Sequence, residues 1–170
     1  KDNNLKQNLV ELFLSAKRIE GCSEKSLRYY HSTIQAMLNE VKKDIKHIAT
    51  DDIRMYLTEY QEQKQSSRVT IDNIRRILSS FFSWLEEEDY ILKSPVRRIH
   101  KVKTASNIKE TYSDESLELM RDSCSEKRDL AMIDMLASTG MRVGEMVLLN
   151  REDINFNERE CIVFGKGDKE

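Results

Sequence analysis

The sequence predicts a mainly α-helical protein in two parts: four helices first, then a shorter mixed α/β portion, mostly helical, with one hairpin or small sheet. Three observations predict this. Apolar residues recur at three- and four-residue steps through four successive stretches of the first ninety or so residues. The only proline, Pro95, falls in a basic, aperiodic stretch directly after them. A short β-type run, Cys161 to Phe164, comes near the end of the chain.

The first helix is expected to bury Leu5, Leu9, Leu12, Phe13, Ala16 and Ile19, and Gly21 allows the turn after it. The second carries Leu27, Tyr30, Ile34, Met37, Leu38 and Val41. Thr50 is read as the cap of the third, with Asp51 and Asp52 favourable in its first turn and Ile53, Tyr56, Leu57 and Tyr60 inward. "QEQKQSS" breaks that pattern. The fourth helix starts near Ser67 and presents Ile71, Ile74, Leu78, Phe81, Phe82 and Leu85. Trp84 and the two phenylalanines, at helical spacing beside Leu78 and Leu85, read as core in preference to base-stacking aromatics; the methionines likewise fill gaps in the core.

"KSPVRRIHKVKTASNIKE", Lys93 to Glu110, is crowded with cations and poor in helical periodicity. It reads as an interdomain linker, either a solvated tether or one lying along nucleic-acid phosphates. The organisation predicted is therefore 1–92, a helical domain; 93–110, a basic linker; and 111–170, a second domain. In that last part Ser113 caps a helix, "EKRDLAMIDMLASTG" forms another ending near Gly140, and a third begins around Met141 or Arg142. "NERE" is a polar turn leading into the β-type run. The chain stops inside that hairpin, so a fragment is expected.

Composition excludes several classes. Hydrophobic content of 39% with 34% charged residues suits a soluble helical protein, and apolar runs such as "MVLL" are too short for a bilayer. No signal peptide is visible. Cys22, Cys124 and Cys161 form no CxxC pair and read as reduced thiols of a cytoplasmic protein. His31, His47 and His100 lack metal-ligand spacing, so neither a metal nor a cofactor is expected. The net charge of −2 gives no basic signature, yet the charge is unevenly spread. Residues 1–110 hold 20 Lys/Arg against 16 Asp/Glu, and residues 111–170 hold 8 against 14, so only the first part is cationic.

The sharpest signal is "STGMRVGEMVLLNREDI", which sets Arg142 between Gly140 and Gly144 at the head of an apolar helical run. "FGKGDKE" then offers Lys166 between two glycines. A guanidinium is a permanent cation whose planar fork donates two parallel hydrogen bonds to a phosphate, and a helix start adds a favourable field for an anion. Glu145, one helical turn after Arg142, is placed to orient it. Each residue also has a plain reading: a surface arginine, a solvated lysine (with Lys169 nearby as a rival), a surface helix acid.

Thr139, Gly140, Arg142, Glu145 and Leu149, followed by the Gly165-Lys166-Gly167 turn, resemble the start of the catalytic domain in tyrosine recombinases, the phage- and transposon-integrase family. "SEKSLRYYHSTIQAML" and "SRVTIDNIRRILSSFFSWL" are similar to that family's core-binding domain. The resemblance implies a four-helix, SAM-like core-binding domain followed by a truncated catalytic-domain fragment. It implies a double-stranded DNA recombination site as partner, a tetramer on DNA for the complete protein, and two halves closing around the duplex. It implies strand cleavage and rejoining through a 3′-phosphotyrosyl link, with Arg142 on the scissile phosphate and Lys166 as general acid. The family's later His-x-x-Arg motif and tyrosine nucleophile are absent: Tyr29, Tyr30, Tyr56, Tyr60, Tyr90 and Tyr112 all precede Arg142. The 170 residues alone are therefore expected to be inactive.

DNA contacts are expected from Lys25, Arg28, Tyr29 and Ser32 on the second helix. Ser67, Arg68, Asn73, Arg75 and Arg76 at the start of the fourth form the other group. The rival reading is a non-catalytic helical DNA-binding regulator or partner-binding module, in which Arg142 is merely structural.

Overall fold

The computed structural model describes residues 2–103 and 109–163, which fall into two compact units, Lys1–Ser106 and Asn107–Glu170. Among the described residues no helix is long and apolar enough to cross a membrane.

The first unit holds α1 (Asp2–Ile19), α2 (Glu24–Val41), α3 (Thr50–Lys64) and α4 (Arg68–Glu87). Local chemistry sets the ends. Gly21, at φ 88°, closes α1: its N–H donates to Arg18 O and that of Cys22 to Lys17 O, a paired closure that needs a left-handed residue. Ser23 and Ser67 cap α2 and α4, their hydroxyls accepting from Ser26 N at 3.3 Å and Thr70 N at 3.2 Å. At α3 the sequence reading needs correcting. Thr50 is already helical and Ala49 precedes it; the free N–H of Ala49 goes to the Asp52 carboxylate at 2.9 Å, which also takes Lys43 Nζ at 2.7 Å. α3 ends inside "QEQKQSS", running through Lys64 and stopping at Gln65 in a left-handed conformation.

The core gathers on α4, whose inward face is Ile71, Ile74, Ile77, Leu78, Phe81, Phe82 and Leu85. Phe13 sits at its centre, edge-on to Phe81 at 5.3 Å and tilted against Trp84 at 5.7 Å. α1 packs on α2, α2 on α3 and α4, and α3 on α4. The face expected for α1 is only partly right. Leu9, Val10, Phe13 and Leu14 are buried, whereas Leu5 and Leu12 are exposed and Ile19 is 88% exposed. The first half of the expected linker also packs on this unit: Ser94, Pro95 and Val96 are buried, and Ile99 and Val102 lie half-buried against the core.

The carboxylates of Asp52 and Asp72 are both held below the ordinary aspartate value, Asp52 by Lys43 and then the Ala49 N–H, Asp72 chiefly by Arg75. A depressed folded-state value means that the unfolded chain takes up the proton first. This stabilisation is therefore complete above the unfolded-state value, near pH 4, and is lost as pH falls through the lower folded values. The circular-dichroism melting temperature of this unit is expected to fall steadily below about pH 4. An Asp52→Asn/Asp72→Asn variant should start lower at neutral pH and show a flatter profile.

The second unit holds α5 (Asp114–Asp122), α6 (Lys127–Thr139), α7 (Val143–Leu148) and the hairpin β1 (Ile154–Asn155) with β2 (Glu160–Cys161). Ser113 caps α5, accepting from Ser116 N at 3.2 Å. Arg121 ties α5 to α6 through Asp134 at 2.7 Å. In the hairpin Ile154 pairs with Cys161, and the Asn155 side chain accepts from Asn157 N and Glu158 N to make the turn. β2 thus begins one residue before the expected run and ends at Cys161; Ile162 and Val163 are not in a strand, and Phe164, where that run was to end, lies outside the described residues.

No described residue of this unit is buried. Leu119, Val143, Val147 and Phe156 are exposed and Leu148 is 75% exposed. Burial is the main favourable term in folding, so this unit has little to offset its chain entropy. Brief trypsin treatment of the 170-residue chain is expected to digest the second unit and leave a fragment containing α1–α4, read by mass spectrometry. Equal loss of both units would contradict the packing difference.

Candidate functional site

The segment around Arg142 is assembled from the ends of two helices. α6 stops at Gly140, whose φ of 67° puts it in the left-handed region, and its N–H donates to Leu136 O at 3.0 Å. Thr139 braces the same corner: its hydroxyl donates to Met135 O at 2.6 Å and accepts from Met141 N at 3.3 Å. Met141 and Arg142 then lead into α7, with Arg142 extended at φ −77°, ψ 148°.

Glu145 grips Arg142 twice. One carboxylate oxygen accepts the Arg142 backbone N–H at 2.7 Å and the other accepts guanidinium Nη1 at 2.6 Å. The Glu145 side chain is only 12% exposed, whereas that of Arg142 is 80% exposed. The backbone bond from Arg142, followed by the guanidinium bond, holds the Glu145 carboxyl below the usual glutamate value. The carboxylate thus fixes the guanidinium from behind while its outer edge faces solvent. Among the described residues that guanidinium makes no other hydrogen bond. A Cβ at Gly144 would meet nothing within 4 Å, so the surface beside Arg142 is open.

Lys166, with its flanking glycines and Lys169, lies outside the described residues, so no distance relates it to Arg142. On the first unit Lys25, Arg28 and Tyr29 are exposed along α2, at helical spacing with Ser32. Arg28 Nε donates weakly to Glu24 O at 3.4 Å. Arg68, Asn73 and Arg76 are exposed on α4, and Ser67 is exposed while its hydroxyl caps that helix. Arg75 differs from its neighbours. It is largely covered, and its Nε is bound to Asp72 Oδ1 at 2.8 Å.

Asp72 itself escaped the sequence reading. Its signal was an acid one step from the apolar face of α4, with an arginine three residues on, the spacing of an ion pair within one helix. The Arg121–Asp134 bond between helices left no such local trace.

Comparison with known proteins is consistent across the chain. The family model described as phage integrase, N-terminal SAM-like domain, matches residues 9–92, and that of the phage integrase family matches residues 107–170. Tyrosine recombinase XerC of Oceanobacillus iheyensis is 30% identical over 95% of this chain and 56% of its own length. XerC of Thermodesulfovibrio yellowstonii is 31% identical over 96% of this chain and 56% of its own. This chain thus spans little more than half the length of these curated relatives. Among solved structures, a lambda integrase dimer bound to a COC′ core site superposes with a TM-score of 0.75 at 18% identity. The overlap covers 95% of this chain and 45% of that one. A lambda integrase tetramer bound to a Holliday junction gives 0.76 at 20% identity, covering 95% and 47%. At such identities the likeness is one of fold.

Proposed function

The chain belongs to the phage integrase family of tyrosine recombinases, and from that premise we propose that its whole protein cuts and rejoins DNA at a specific site. The observation that carries the reading is the solvent-facing guanidinium of Arg142, fixed by Glu145 inside the run that matches the family's catalytic part.

In this reading a tyrosine gives its hydroxyl proton to a base from polypeptide outside these 170 residues as its oxygen attacks the scissile phosphodiester. A P–O bond to the tyrosine forms, the bond to the 5′-oxygen breaks, and that oxygen takes a proton from Lys166. A 5′-hydroxyl from another end reverses the step, so no metal or nucleotide is consumed. Arg142 donates to the non-bridging oxygens, where negative charge grows in the transition state, and Glu145 holds it in register. The tyrosine comes from polypeptide outside these 170 residues. The first unit holds the duplex through Lys25, Arg28, Tyr29, Ser67, Arg68, Asn73 and Arg76, and the whole protein assembles on DNA as a tetramer.

A nicked suicide duplex carrying the site tests this. The whole protein is expected to give a covalent adduct that survives detergent, and the 170-residue chain none; an intact protein that binds the site without forming an adduct would overturn the reading. The 170-residue chain should bind duplex with a strong salt dependence. An Arg68→Ala/Arg76→Ala variant should shrink the slope of log K against log salt by about 2.

A further inference from the structure

Two carboxylates of α4 fasten the segment that follows it. Glu86 accepts the Ser94 N–H at 2.8 Å, and Asp72 accepts the Val102 N–H at 3.0 Å. Between these points Val96 is 1% exposed, and Ile99 and Val102 pack on the core. Ser94, Val96, Arg97 and Ile99 line a groove with Arg75, Ser79 and Ser83 of α4. The geometry is consistent: Asp72 and Glu86 are separated by about 21 Å of helix rise, and the strap from Ser94 to Val102 spans at most about 28 Å when extended. The strap runs back along α4, its first part wound into turns in which the Arg97 N–H donates to Ser94 O and the Ile99 N–H to Val96 O.

Asp72 is unusual for a helix-interior acid in being only 8% exposed. One of its oxygens, Oδ1, serves both Arg75 Nε and the Val102 N–H. Arg75 neutralises the buried carboxylate, and Lys101, next to Val102, adds to the favourable field. The pair thus spends an arginine from the basic end of α4 to hold a backbone group thirty residues downstream.

We propose that Asp72 is a positioning residue: by holding Val102 it fixes where the chain leaves the first unit. The span that joins the two units then starts at Lys103 instead of Lys93. Without this latch the next hold upstream is Ile99, which packs on the core, and about three further residues would add up to about 10 Å of reach. The inference rests on the recombinase reading only for its purpose, which is to limit where Arg142 can travel relative to a duplex held by the first unit.

The test uses the 170-residue chain, spin-labelled at its own Cys22 and Cys124 in a Cys161→Ser background. Electron–electron distance distributions are compared for the parent, Asp72→Ala, Asp72→Asn and Val102→Pro, with melting curves to establish folding. Asp72→Ala and Val102→Pro are expected to lengthen and broaden the distribution, and Val102→Pro does so with the Asp72–Arg75 pair intact. Asp72→Asn keeps an acceptor for Val102 and should restore the narrower one. The Val102 amide should exchange at least tenfold faster in Asp72→Ala. Unchanged distributions in both disrupting variants, or a Val102 amide already unprotected in the parent, would overturn the proposal. Duplex binding is measured on the same samples. If the variants behave as expected and the parent binds no duplex, the latch stands and the recombinase reading falls; normal binding with unchanged distances does the reverse.

Discussion

An Arg142→Ala variant of the whole protein is expected to form the covalent DNA adduct about 10³-fold more slowly in single-turnover assays, with site affinity changed by no more than a few-fold. The expectation follows from where the guanidinium stands. Its inner nitrogen is occupied by Glu145 at 2.6 Å, and its outer edge is exposed. On the proposed mechanism, removing it would strip donors from a phosphate as charge develops, when they count most, while the DNA contacts proposed for the first unit would remain. Arg142→Lys should rescue little, because an ammonium cannot reproduce the planar fork. Glu145→Gln should cost less. One amide oxygen can still accept a bond, but the carboxylate can no longer take both the backbone N–H and the guanidinium. A wild-type adduct rate in Arg142→Ala would remove the residue from the chemistry.

Phe81→Ala is expected to destabilise the first unit by about 3–5 kcal/mol. Phe81 is fully buried, edge-on to Phe13 at 5.3 Å and to Phe82 at 5.4 Å, where α1 meets α4. The hole would open where neighbouring helices cannot close in without abandoning their own contacts. For a unit of about a hundred residues this corresponds to a melting temperature lower by ten degrees or more, and duplex binding should vanish as the unit unfolds. Val69→Ala, on the exposed side of the same helix, should fall within about 0.5 kcal/mol of the parent. Thermal melts of the two variants side by side separate core packing from helix propensity.

Legibility in the sequence varied with how local the deciding physics was. The inward face of α4 was readable because Ile71, Ile74, Leu78, Phe81, Phe82 and Leu85 leave one unbroken stripe with polar residues opposite. α1 was ambiguous. Leu5, Leu12 and Ile19 recur every seven residues and compete with Val10 and Leu14 for the same neighbours, and only the partner helices decide which side is covered. The cap Ser113 and the helix start near Ser67 were legible; Ser23 was not singled out, and Ala49 could not be, because its partner is the Asp52 carboxylate. The strap was read as a tether because lysines and arginines dominate it. What fixes it is sparse: Val96, Ile99, Val102 and two acids far upstream. At the candidate site the motif gave Arg142 and Glu145, and their bond is of a kind that sequence spacing can suggest. Where the Lys166 ammonium sits depends on residues outside those described.

Trp84, the only tryptophan of the chain, stacks obliquely on Phe13 and Tyr90, all within the first unit. Its indole emission therefore reports one half of the molecule. A fluorescence-monitored titration with urea would trace a single clean transition even while the half carrying Arg142 had already melted, so an optical probe engineered near α7 is needed to see that event at all.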